Sequence, residues 1–172
     1  MNKIVIAIDS FKGCLTSEEA GIAVMKGIKT IFPDCEILLF PIADGGEGML
    51  DVLISATQGK YRTLPAHGPL MELIQTQYGI SGDGQTALIE MAAISGLPLV
   101  PKEKRNPMLT TTYGTGELIL DALEQGCRRF IVGIGGSATN DAGLGMLQAL
   151  GFRFLDKRGN LLGTGGNIMS QV

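Results

Sequence analysis

Lys3-Ile-Val-Ile-Ala-Ile-Asp-Ser-Phe-Lys-Gly-Cys-Leu-Thr-Ser-Glu-Glu19 is the stretch that decides the fold. Its first part is an unbroken apolar, β-branched run that stops at Asp9-Ser10, the pattern of a strand buried on both faces. Its last four residues, Thr16-Ser-Glu-Glu19, have the form of a capping box, in which a hydroxyl and a carboxylate satisfy each other's backbone donors where a helix starts. Behind it Val24, Met25, Ile28, Ile31 and Phe32 recur at helical spacing, and Pro33 ends the helix. Residues 36–40 make a second strand. A second helix follows the loop Ala43-Asp-Gly-Gly-Glu-Gly48, with Leu50, Leu53 and Ile54 on one face and Gly59 expected just past its end. The order strand, loop, helix, strand, loop, helix implies right-handed crossovers between parallel strands.

Working outward, the texture changes near Gly59. Residues 60–66 and 73–80 read as strands, and the second alternates Ile74, Thr76, Tyr78 and Ile80 with Gln75 and Gln77. Asp83-Gly84 supplies a turn before a strand at 86–91, so an antiparallel pair is expected here. A domain change is placed close to residue 65, giving units 1–65 and 66–172. Residues 92–113 are rich in loops. A helix at 115–125, a strand at 129–134, a glycine-rich loop at 135–140, a helix at 141–150 and a strand at 152–155 complete the reading.

Composition agrees with an α/β chain and removes several classes of function. The 172 residues are 45% hydrophobic and 18% charged, which suits a packed domain, and the 25 glycines fit tight loops between strands and helices. A net charge of −3, with no basic run and few aromatics, argues against nucleic acid as a partner. Cys14, Cys35 and Cys127 have no C-x-x-C spacing and there is a single histidine, so a thiolate metal centre is not expected. The apolar run at the N-terminus is too short for a signal peptide, and no stretch approaches a membrane span, so the expected location is the cytoplasm, away from membranes.

Three loops stand where α/β sheets collect ligands, beyond the carboxyl ends of strands. Asp9-Ser-Phe-Lys-Gly13 carries Lys12, able to hold a phosphate or carboxylate as a point charge, or to be an ordinary solvated lysine. Asp44-Gly-Gly-Glu-Gly48 offers the oxygens of Asp44 and Glu47 to Mg²⁺ or a substrate hydroxyl, with Gly45 and Gly46 allowing close backbone approach; helix capping by Asp44 competes with that reading. Gly133-Ile-Gly-Gly-Ser-Ala-Thr-Asn-Asp-Ala-Gly143 places backbone donors and hydroxyls of Gly135, Gly136, Ser137, Thr139 and Asn140 before a helix, where phosphate would bind, and Asp141 there suits a metal or a cap. Thr115, in Gly114-Thr-Gly-Glu117, suits a phosphate or substrate contact, with N-capping the plainer role. Glu90 is functional or merely edge-exposed, and His67 is read as a surface residue. Gly133, Gly135 and Ala138 also match G-x-G-x-x-A, with Asp156 further on, so an NAD-binding oxidoreductase is a rival reading. No Walker A tripeptide occurs.

Together with Ile89-Glu-Met-Ala-Ala93, these segments, in this order, resemble the signature segments of the glycerate kinase family from Lys3 to about Gly166. The resemblance implies ATP-dependent phosphorylation of D-glycerate, with Mg²⁺ on the triphosphate, in a cleft between two domains. The first would be a flavodoxin-like parallel-sheet domain, begun here, and the second a mixed-sheet α/β domain inserted into it. Cys14 stands where a Ser is usual and Ala142 where a Gly is usual, changes expected to spare the backbone. Relatives continue beyond residue 172, so the chain is expected to be an N-terminal fragment, inactive unless complemented, with exposed sheet edges and apolar helix faces. Its partners would be D-glycerate and ATP, with a second copy or a C-terminal segment completing it. A non-catalytic remnant is the other reading.

Overall fold

A computed structural model describes residues 2–172. The first sheet is a parallel pair, β1 (Lys3–Ile6) with β2 (Glu36–Leu39), in the register Lys3 opposite Glu36. The helix between them, α1 (Ser17–Ile31), starts on the expected capping box, in which Thr16 Oγ1 accepts from the Glu19 N–H and Glu19 accepts in return from the Thr16 N–H. Leu39 lies directly under Gly21, so that face of the sheet meets α1. Alternation sends Val5 to the opposite face, where it is 58% exposed. The expectation of a strand buried on both faces is therefore corrected: only α1 covers this sheet, and Ile31 and Phe40 also remain exposed.

The second helix, α2 (Met49–Thr57), closes through Gln58, which takes the left-handed conformation expected of Gly59 (φ 52°). It leaves the first sheet and packs on the second. Leu50 and Ile54 bury against Leu88, which sits in the four-stranded sheet β3–β4–β5–β6. β3 (Lys60–His67), β4 (Leu73–Ile80) and β5 (Thr86–Glu90) run antiparallel in turn, and β6 (Arg129–Gly133) lies parallel to β5. β3 pairs with β4 along its whole length, so the sheets divide before Lys60 and residue 65 falls inside a strand.

The core is built by strand alternation. Leu88 faces α2, while Ala87 and Ile89 face the other way, onto α3 (Ala92–Ser95) and α4 (Tyr113–Glu124). There Tyr78, Ile89, Ile94 and Leu118 are fully buried. Burial of each such side chain contributes about 1.5–3 kcal/mol. The Tyr78 hydroxyl enters this apolar layer without cost because it donates to Asp121 Oδ2 at 2.7 Å, and Arg62 grips the same carboxylate with Nε and Nη2. Burial and Asp121 together push the Tyr78 phenol well above its ordinary range.

The last helix, α5 (Leu144–Ala149), lies on α4 and begins three residues later than the sequence suggests. Residues 152–155 form no strand; a single bridge joins Leu155 to Leu161 in a turn closed by Asp156. The apolar pattern there is too short to pair with anything but its own return. Among the described residues no helix is long and apolar enough to cross a membrane.

Candidate functional site

The strands carrying the three loops end at neighbouring places, and the loops meet. In the first, Gly13 adopts a left-handed φ of 72° and Phe11 closes a tight turn with Leu15, which lifts Lys12 into solvent. The turn is tied to the sheet by Ser17, a residue that sequence reading left inside the capping box. Its hydroxyl donates to the Ile8 carbonyl at 2.6 Å and accepts from the Ile42 N–H at 3.0 Å, joining the two strand exits behind the loops. A Ser at the first helical position gives no signal of such a bridge in sequence.

In the second loop Asp44 Oδ1 accepts from the Gly46 N–H at 3.0 Å, an Asx turn, and the helix cap falls on Gly48. Asp44 therefore does not cap α2. Its other oxygen, Oδ2, stands 3.9 Å from Lys12 Nζ, with both side chains well exposed, so the pair adds little stability. Glu47 is exposed and lines a cleft of about 690 Å³, whose other walls include Asp9, Ser10, Lys12 and Asp51. The N-terminus of α2 is held from below by Glu90, which is 9% exposed and accepts from the Leu50 N–H at 3.0 Å. Burial raises the Glu90 carboxyl above its ordinary value, against the pull of those backbone donors. Glu90 thus fixes the second loop rather than lining the cleft.

The second and third loops touch through backbone. The Gly135 N–H donates to the Gly45 carbonyl at 3.0 Å, and a Cβ on Gly135 would lie 2.7 Å from Gly46 Cα. A side chain at Gly135 would therefore push the two loops apart. Beyond this seam the third loop is held by residues 95–97: the Leu97 N–H donates to Gly136 and the Ala138 N–H to Ser95. Ser137 Oγ accepts from the Thr139 N–H at 3.0 Å and lies 2.7 Å from Thr139 Oγ1, so the two hydroxyls form one polar rim. Asn140 is exposed beside them.

Two expected ligand contacts are corrected by packing. Asp141 is 1% exposed, and its oxygens accept from the Thr112 N–H and hydroxyl, the Thr111 hydroxyl, and the Gly143 and Gly145 N–H groups. The helix donors thought free for phosphate are spent on Asp141, and a metal would have to displace them. Thr115 is likewise 1% exposed, with its hydroxyl 2.9 Å from that of Ser95, inside the layer between α3 and α4. His67, expected at the surface, is half-buried and sits 2.9 Å from Glu117 Oε1.

The dinucleotide reading fails on the same geometry. Its glycine run opens no helix, since α5 begins only at Leu144, and Asp156 spends its oxygens on Arg158 and Asn160 in an exposed turn. For a divalent cation the chemistry fits differently. No cluster of three or more ligating side chains occurs among the described residues, whereas Asp44 and Glu47 present exposed carboxylates three residues apart in the second loop. One or two carboxylates completed by water and phosphate oxygens is the way Mg²⁺ is bound at phosphoryl-transfer sites.

Two loops that follow parallel strands line an open cleft with several carboxylates and the third joins them at Gly45, the arrangement of an α/β protein of the kind whose strand ends collect small polar ligands. The chain belongs to the Glycerate kinase family, whose sequence profile matches residues 4–172. It is 55% identical over 170 residues to the Glycerate 2-kinase of Escherichia coli K12 and 54% identical to the Glycerate kinase of Bacillus subtilis 168. Those alignments take in 99% of this chain but 45% and 44% of the relatives, so the chain spans somewhat under half their length. A crystal structure from Salmonella typhimurium LT2, assigned as a glycerate kinase 2, superposes with a TM-score of 0.83 at 49% identity, over 96% of this chain and 44% of that one.

Proposed function

We propose that this chain is part of an enzyme that transfers a phosphoryl group from ATP to D-glycerate and gives 2-phosphoglycerate in the cytoplasm. The observation that carries the reading is the convergence of the three loops, Lys12 against Asp44 at 3.9 Å and Gly135 against Gly45 at 3.0 Å. The name of the Escherichia coli relative supports the 2-phosphate.

Phosphoryl transfer asks a protein for positioning and charge neutralisation more than for covalent chemistry. Lys12, on a glycine-closed turn, provides the cation for the glycerate carboxylate or for the transferred group. Asp44 and Glu47 orient the acceptor hydroxyl or hold Mg²⁺, which when bound neutralises the triphosphate. Ser10, Gly45 and Gly46 border the acceptor side with the Asp9 carboxylate, the Ser10 and Gly46 N–H groups holding Asp9 and Asp44 in place. Gly136 and Asn140 through N–H groups and Ser137 and Thr139 through hydroxyls contact phosphate oxygens, while Gly135, its N–H given to Gly45, lets the phosphate approach the backbone. Sheet 1 is completed by further chain, as its open face and the length of the relatives support.

The test is glycerate-dependent release of ADP from Mg-ATP, first by the chain alone and then with the C-terminal half of a relative supplied in trans. The expected result is turnover in the complemented protein, reduced at least 100-fold in kcat/KM by Lys12→Ala or Asp44→Asn. Full activity in both variants would remove these residues from the reaction.

A further inference from the structure

On the far side of the third loop lies a second hollow, of about 250 Å³, floored by Val100 and Thr110 and rimmed by Arg105, Asn106, Ser137 and Thr139. We infer that this hollow is a polyphosphate subsite, in which Arg105 and the paired hydroxyls of Ser137 and Thr139 take the phosphate chain of a nucleotide. The inference rests on the kinase reading, and deepens it by giving the donor substrate its own wall of the third loop.

The two hollows differ in charge. The larger cleft is walled by Asp9, Glu18, Glu19, Glu47 and Asp51 with Lys12 as its cation, a field that repels a bare polyanion. The smaller is lined by no carboxylate and holds Arg105 together with three hydroxyl-bearing residues. Arg105 follows the short 3-10 turn Lys102-Glu-Lys104, whose net charge is positive, although of these residues only Arg105 itself lines the hollow. The guanidinium is steered without being neutralised. Its Nε donates to the Val100 carbonyl at 3.2 Å, and no carboxylate pairs with it among the described residues. Nη1 and Nη2 are thereby left for a forked contact with phosphate oxygens, a geometry lysine cannot reproduce.

The opposite wall is fixed. The Thr110 hydroxyl donates to the Ala138 carbonyl at 2.7 Å, and the Ala138 N–H donates to Ser95 at 2.9 Å. Ser137 Oγ and Thr139 Oγ1 share one hydrogen bond; when Ser137 donates it the Thr139 proton is available to a ligand, and when Thr139 donates it the Ser137 proton has only a long contact, 3.4 Å, to the Thr139 carbonyl, from which a phosphate oxygen would draw it. The same loop meets the second loop through the Gly135 N–H and the Gly45 carbonyl, so phosphates held by Arg105, Ser137 and Thr139 would lie on a segment joined directly to the loop that carries Asp44 and Glu47.

The experiment is calorimetric titration of the 172-residue chain with inorganic tripolyphosphate, ATP and inorganic phosphate, for the unaltered protein, Arg105→Ala, Arg105→Lys and Lys26→Ala, the last an exposed cation on α1. Expected is tripolyphosphate binding well above that of single phosphate, weakened about tenfold or more in Arg105→Ala, only partly restored in Arg105→Lys, and within twofold of the original in Lys26→Ala. ATP binding no weaker than tripolyphosphate would assign the subsite to a nucleotide; tripolyphosphate binding without ATP binding would overturn that assignment. Absence of tripolyphosphate binding, or an equal loss in Arg105→Ala and Lys26→Ala, would overturn the subsite. Its fate is separable from that of the kinase: glycerate-dependent turnover unaffected by Arg105→Ala refutes the subsite and keeps the kinase. Arg105-dependent ATP binding with no glycerate turnover, even when complemented, keeps the subsite and refutes the kinase.

Discussion

Ala142 holds a φ of 52°, in the left-handed region where a Cβ crowds the following carbonyl. In the sequence this position reads only as an Ala where Gly is usual, a change expected to spare the backbone. The structure makes it a strained residue beside Asp141, whose carboxylate pins the turn. Ala142→Gly should raise stability by about 1 kcal/mol, the relief of left-handed strain less the added freedom of the unfolded chain. A rise of about 2–4 °C in the melting midpoint is expected, and a fall would mean that the turn needs the methyl group. Buried polar residues were the least legible at this scale. Asp141, Thr115, Glu90 and Ser17 all carry side chains that serve equally in sites and in packing. Which role each fills depends on neighbours brought from distant parts of the chain: Thr112 for Asp141, Ser95 for Thr115, Leu50 for Glu90 and Ile42 for Ser17.

Elements were far more legible, because their signals are local. The capping box at Thr16 and the Asp83-Gly84 turn stand where sequence places them, since each is decided within four residues. The partner of α2 was not legible: its apolar face of Leu50, Leu53 and Ile54 is the same whether it covers the first sheet or the second. The Asp83 turn also yields a test of the β4–β5 hairpin. Asp83 accepts from the Ser81 hydroxyl and from the Gln85 and Thr86 N–H groups, and Arg129 at the start of β6 donates to its second oxygen at 2.6 Å. These donors, with the Ser81 hydroxyl foremost, lower its pKa from 3.8 to about 2. A carboxyl depressed on folding contributes stability above its unfolded value and loses it as pH falls through the folded one. Asp83→Asn should therefore melt earlier than the original protein at pH 7. The gap should narrow below 3.8 and close near 2. A gap independent of pH would show that shape, not charge, holds the turn.

At the scale of the whole molecule the two sheets are unequally finished. The four-stranded sheet has α2 on one face and α3 with α4 on the other, and its core residues are fully buried. The two-stranded sheet has α1 alone, leaving Val5, Phe40 and Ile42 exposed, and the α1 residues Val24 and Ile31 are exposed as well. Exposed apolar surface of this kind binds hydrophobic dyes and drives association. The 172-residue chain should enhance the fluorescence of an anilinonaphthalene dye, and the C-terminal half of a relative added in trans should suppress that signal. Dye binding that persists after the C-terminal half is added would place the apolar face outside the surface which that half covers. The unfinished sheet is also why fold class was legible while depth of burial was not: alternation names which residues share a face, but not whether anything lies over it.

The seam between Gly45–Gly46 and Gly135 has a consequence for affinity. A joint between main-chain atoms has no rotamers to freeze, so it would lose no side-chain entropy when a ligand bound beside it. On the proposed reading, the side-chain entropy lost on binding would fall on exposed long side chains, Lys12 in the first loop, Glu47 in the second and Arg105 beside the third. Stiffening those three long arms would tighten binding without moving either loop.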